Sequence, residues 1–193
     1  MTTRTFIALE MSTGLQRHLK GFFRQVASAL PSLRRVDSAG IHLTLAFLGE
    51  LTDEQVTSAI AATQDAAQTV SPFSYRLTQP GIFGPARQPR VLWMGIEEPS
   101  GALQTLHRSL NAELEARGFE TERRPFSPHL TLARGKAPLT SDEQAALQRL
   151  LTRPPAQRTA YQRYLVTGIQ VIKSELQQSG ARYTVLFHAP LHQ

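Results

Sequence analysis

Two stretches decide the fold: IHLTLAFLG at residues 41–49 and SPHLTLARG at residues 127–135. Both contain His-Leu-Thr-Leu, at His42–Leu45 and His129–Leu132, and the copies stand 87 residues apart in a chain of 193. A spacing close to half the chain is the signature of an internal duplication. In a strand, residues i and i+2 project from one face about 6.6 Å apart, so His42 and Thr44 point one way while Leu43 and Leu45 point into a core. His129 and Thr131 do the same. By the same alternation Phe47 falls on the Leu43 and Leu45 face and is expected in the core. A pseudo-two-fold relating the halves brings two imidazoles and two hydroxyls to one cleft.

Outward from these strands the pattern repeats. Thr3 to Glu10 reads as a strand and Gly14 to Leu30 as an amphipathic helix stopped by Pro31. The turn Ser38-Ala39-Gly40 precedes the first HLTL strand, Ile41 to Leu48, and Thr52-Asp53-Glu54 starts a helix running to about Thr69. Strands at Phe73 to Gln79 and Arg90 to Ile96 flank the loop PGIFGPARQP. A second helix-and-HLTL unit then follows, with a helix over Ser100 to Arg117 and a strand over Ser127 to Ala133. A helix from Ser141 to Leu151 is broken by Pro154-Pro155, and strands at Tyr161 to Lys173 and Arg182 to His188 complete the chain. This order predicts an α+β fold: one bilobal domain over residues 1–193, two antiparallel sheets lining a central cleft, helices on the outer faces.

Composition narrows the chemistry. With 41% hydrophobic and 19% charged residues the chain has the material for a core. No apolar run reaches 18 residues and the first fifteen lack a cleavage-like ending, so a membrane span and a signal peptide are not expected and a cytoplasmic protein is. Cysteine is absent, which excludes disulfides, thiolate metal sites and cysteine nucleophiles. Lys and Arg number 21 against 15 Asp and Glu, a net charge of +6 that favours an anionic partner.

Two histidines suit a general acid and a general base at neutral pH, because one imidazole can be neutral while the other is charged. Threonine hydroxyls give phosphoryl oxygens uncharged donors. The group fits in-line displacement at phosphorus without a metal or cofactor. A single HLTL is adequately explained as a good strand, but two copies at half-chain spacing are not. Metal binding by His42 and His129 is a rival, set against neighbours that are hydroxyls and arginines rather than carboxylates. Arg134 is placed to neutralise a substrate phosphate at the cleft rim. Arg123-Arg124 reads as a solvated pair, and His18, His107, His188 and His192 as surface or packing residues.

Phe47-Leu48-Gly49 after the first motif, Phe126-Ser127-Pro128 before the second, Arg134 after it, RTFIALE near the start and GIFGPARQPRVLW in the middle resemble the two-histidine (2H) phosphoesterase superfamily. The similarity is greatest to its bacterial RNA 2′,3′-cyclic phosphodiesterase branch, formerly named 2′-5′ RNA ligases, and spans nearly the whole chain. The resemblance implies metal-independent opening of 2′,3′-cyclic phosphate ends of RNA, tRNA fragments or oligonucleotides, to 2′-phosphomonoesters. Some members also join tRNA halves through a 2′-5′ linkage. By carry-over, His42 is the proton donor to the leaving oxygen, His129 the proton acceptor that activates water, and Thr44 and Thr131 hold the phosphate. The expected protein is a monomer with no cofactor and no membrane association. The alternative is a non-catalytic module that holds an RNA end in the same cleft, although binding alone is better served by arginine than by paired histidines.

Overall fold

Helix starts are set by side chains that satisfy the free amides of the first turn. Ser12 accepts from the Leu15 amide (3.3 Å) ahead of α1 (Thr13–Ala29). Thr52 and Gln55 form a reciprocal capping box (2.9 and 3.3 Å) at α2 (Asp53–Ala67). Thr140 and Glu143 exchange the same pair of bonds at the start of α4 (Ser141–Thr152). The other Glu143 oxygen accepts from the Ser32 amide at 2.8 Å, so one buried carboxylate ties α4 to the turn after α1.

The computed structural model describes residues 2–37, 40–152, 162–177 and 180–192. Its remaining elements are β1 (Thr3–Leu9), β2 (Arg34–Arg35), β3 (Thr44–Leu51), β4 (Phe73–Phe83), β5 (Val91–Glu97), α3 (Ala102–Ala116), β6 (His129–Arg134), β7 (Tyr164–Val166), β8 (Gly168–Gln177) and β9 (Gly180–Pro190). They form an α+β fold of two antiparallel sheets, ordered β3-β1-β8-β9 and β2-β6-β5-β4-β7. Each HLTL motif runs into a different sheet. Ile7 and Leu9 from the first sheet and Leu130 and Leu132 from the second share one core with Leu15 and Leu19 of α1 and Leu106 and Leu110 of α3. Small side chains on α2, Ala59, Ala62, Ala66 and Ala67, are fully buried and let that helix lie close. The helices therefore cover the faces opposite the histidines.

Three sequence expectations change. The strand expected over Tyr161 to Lys173 is two strands: β7 pairs with β4 in the second sheet and β8 with β1 in the first. Thr167 is the crossing point, its hydroxyl donating to Glu10 (3.1 Å) and its carbonyl accepting from Leu191 (2.9 Å). The loop expected after Gln79 is partly strand, because a register shift lets Pro80-Gly81 continue β4. Gly81 is needed there, since a Cβ would lie 2.2 Å from the Trp93 ring. The first HLTL strand begins at Thr44, two residues after His42, although the Leu43 carbonyl still accepts from Leu9 (3.0 Å). Ser38-Ala39, Tyr161 and Pro154-Pro155 lie outside the described residues.

Candidate active site

The register of the two HLTL strands sets what reaches the site. In the first sheet Thr44 pairs with Ala8, Ala46 with Ile7 and Phe47 with Phe6, which leaves Leu45 without an opposite residue. In the second sheet Thr131 pairs with Trp93, Ala133 with Leu92 and Arg134 with Val91, which leaves Leu132 over. Each strand thus carries a β-bulge at the residue after its threonine, and a bulge reverses the alternation beyond it. Leu45 and Leu132 stay buried while Phe47 and Arg134 turn onto the threonine face. This corrects the expectation for Phe47, which is 69% exposed rather than in the core. The placing of Arg134 beside the motif face has the same cause.

The two imidazoles are held identically. His42 Nδ1 lies 2.7 Å from the Gly40 carbonyl and His129 Nδ1 2.7 Å from the Ser127 carbonyl, each two residues upstream. A carbonyl only accepts, so Nδ1 carries the hydrogen in both neutral rings and Nε2 is left with a free lone pair. Aromatic contacts complete the positioning. His42 sits against Phe6 (centroids 4.5 Å) and edge-on to Tyr183 (5.0 Å, 82°), and His129 edge-on to Phe83 (5.0 Å, 87°). Burial lowers the His42 pKa from 6.5 to about 4; the Gly40 carbonyl opposes that shift and the Arg134 guanidinium adds to it. His42 is therefore neutral at pH 7 in the unliganded protein. Burial raises the Tyr183 phenol, with Arg134 and Arg4 pulling the other way.

His42 and Arg134 open onto one cavity of 440 Å³, together with Arg4, Phe6, Phe47 and Tyr183. Arg134 belongs to the second sheet and the others to the first, so this cavity lies where the sheets meet. A cavity of 230 Å³ on the other side of His42 is lined by Gln16, Gln170 and Glu10 and shares Tyr183. His129 and Thr131 line neither cavity but share the β6 face with Arg134, and Thr44 shares the β3 face with Phe47. Arg34 of the short edge strand β2 pairs with Arg134. Sequence reading singled out neither Arg34 nor, within RTFIALE, Arg4.

Three of the other four histidines have side-chain partners: His18 with Gln162 (3.0 Å), His188 with Glu10 (3.0 Å), and His107 stacked on Phe126 (3.9 Å, 8°). Arg124 pairs with Glu122 in solvent. Among the described residues no three His, Asp or Glu side chains cluster as a metal-binding group.

Each sheet carries one His-x-Thr motif, and the chain belongs to the 2′-5′ RNA ligase superfamily, whose family model matches residues 16–178. The RNA 2′,3′-cyclic phosphodiesterase of Methanothermobacter thermautotrophicus is 30% identical over 184 residues, covering 95% of this chain and 96% of that protein. The enzyme of the same name from Thermus thermophilus is 36% identical over 152 residues, 76% of this chain and 69% of that one. Among solved structures, E. coli LigT complexed with 3′-AMP superposes with a TM-score of 0.77 at 26% identity, covering all of both chains.

Proposed function

We propose that this protein is an RNA 2′,3′-cyclic phosphodiesterase, a hydrolase that opens the cyclic phosphate at an RNA end to a 2′-phosphomonoester. His129 accepts a proton from water as the water oxygen bonds to phosphorus, and His42 donates a proton to the departing 3′ oxygen as its bond to phosphorus breaks. Arg134 neutralises the phosphate, Thr44 and Thr131 donate to its oxygens, and exposed Phe47 offers a ring face to the base. The same reading takes the protein to act on RNA ends in the cytoplasm as a monomer; no helix among the described residues is long and apolar enough to cross a membrane.

The observation that carries this reading is the matched pair of Nδ1 anchors, which presents two Nε2 atoms ready for proton transfer. A module that merely held an RNA end has no use for two imidazoles fixed in one tautomer. Burial is the main reason His42 is neutral before binding and Arg134 a smaller one; an anionic phosphate beside the ring both offsets Arg134 and favours the imidazolium directly, so His42 gains its proton with the substrate. Turnover of a nucleoside 2′,3′-cyclic phosphate in excess chelator tests the proposal. His42→Ala and His129→Ala should each lower kcat by on the order of 10²–10⁴-fold, and the double variant little further. Loss of less than about threefold from either change, with the fold intact, would rule out two-histidine catalysis. Activity that needs added Zn²⁺ or Mn²⁺ would restore the metal-binding rival.

A further inference from the structure

The face of the first sheet around His42 is built in three successive cross-strand rows. Ala8 pairs with Thr44, Phe6 with Phe47, and Arg4 with Glu50. β1 carries no bulge, so Arg4, Phe6 and Ala8 point the same way, and Arg4, Phe6, Phe47 and Glu50 all line the 440 Å³ cavity that holds His42 and Arg134. Along this face a hydroxyl row is followed by an aromatic row and then by a cation. Arg4 stands four residues from Ala8, about 13 Å along the strand, which sets it apart from a phosphate gripped at Thr44.

Arg4 is exposed and makes no ion pair or hydrogen bond among the described residues. Glu50 faces it across the strand pair without forming a salt bridge. The Arg4 charge reaches the Tyr183 phenol, as does that of Arg134, whereas Arg134 also acts on His42 and Tyr183 packs against that ring. Consecutive phosphates of an RNA strand lie closer together than the Arg4–Ala8 Cα separation, and the long Arg4 side chain spans the difference across the aromatic platform. The apolar cavity wall continues the same track, since Leu176 on β8 is 73% exposed beside it.

We infer that Arg4 binds the next phosphodiester of the RNA, on the chain side of the terminal nucleotide, and so makes the protein prefer oligonucleotide ends over mononucleotides. The inference rests on the cyclic phosphodiesterase reading above and assigns the direction in which the RNA leaves the site: past Phe6 and Phe47 toward the Arg4–Glu50 end of β1 and β3.

The test compares kcat/KM for a trinucleotide ending in a 2′,3′-cyclic phosphate with that for a nucleoside 2′,3′-cyclic monophosphate, in the full chain and in Arg4→Gln. Arg149→Gln on α4 serves as a control that removes the same charge elsewhere. Arg4→Gln should lower the trinucleotide-to-mononucleotide ratio on the order of tenfold at low salt, mostly through KM. It should also reduce the slope of log kcat/KM against log salt for the trinucleotide by about 0.7, one phosphate contact on a single strand. A ratio that does not change, or that falls as far in Arg149→Gln, overturns the assignment. Failure of the unaltered protein to hydrolyse either substrate overturns the phosphodiesterase reading and this inference with it.

Discussion

Acidification offers a direct measurement of how the fold holds His42. Burial and Arg134 place its pKa at about 4 in the folded chain, against 6.5 for an ordinary imidazole. Between those values the unfolded chain takes up a proton that the folded chain refuses, so stability falls as pH drops through the window and levels off below about 4. A gap of about 2.5 pH units at about 1.4 kcal/mol each comes to roughly 3.5 kcal/mol, of which about 2 should be expressed between pH 7 and pH 4.5. Urea unfolding at the two pH values, in the native protein and in His42→Gln, isolates the contribution of this one ring. The native protein should lose about 2 kcal/mol more than the variant. A difference below about 0.5 kcal/mol, or an NMR titration of His42 centred near 6.5, would refute the argument that burial controls this group. The same titration in saturating phosphate tests its role: the midpoint should rise, because the anion opposes Arg134. A midpoint that stays put would remove His42 as the proton donor and make it the acceptor.

Phe47→Ala should cost less than about 1 kcal/mol in urea unfolding, where a buried phenylalanine would cost 3–5, because the ring is mostly in solvent. The same change should weaken nucleotide affinity by about 1–3 kcal/mol, the loss of one stacked base, measurable as a rise in KM. Glu143→Gln should destabilise by about 1–3 kcal/mol at pH 7, since it presents an amide to the Ser32 and Thr140 donors. The Glu143 carboxyl is held below the ordinary value by those donors, against the opposing effect of burial, so this stabilisation is present above about pH 4.3. Denaturant midpoints at pH 7 and pH 3 should show the gap between native and variant closing at the lower pH.

The paired histidines, the threonines on their faces and the two-sheet architecture were legible because they follow from strand alternation and a repeated tetrapeptide, both local properties. The faces of Phe47 and Arg134 were not. Alternation counted from the threonines sends residue 47 into the core, and the bulges that reverse it arise from pairing with β1 and β5, strands whose register no single stretch of sequence specifies. The split at Thr167 was hidden for a similar reason: Tyr164–Val166 and Gly168–Gln177 follow one another without a turn signal and read as one strand, and only the positions of β4 and β1 assign the parts to different sheets. Arg4 and Arg34 were indistinguishable from other surface cations until cross-strand neighbours placed them beside the site.

The two bulges bear on how a twofold arrangement acquires a direction. If both halves placed like residues around their histidines, a substrate would fit as well backward as forward, and donor and acceptor would be interchangeable. Phe47 and Arg134 stand at corresponding places, five residues after their histidines and two cross-strand rows from the threonines they follow, yet one is a flat apolar ring and the other a cation. In the proposed reaction this unlike pair would give the cleft a head and a tail, with the anionic centre drawn to one strand and the base to the other. Exchanging the two residues would therefore do more than weaken binding: it would favour the inverted pose and ask each histidine to perform the other's task.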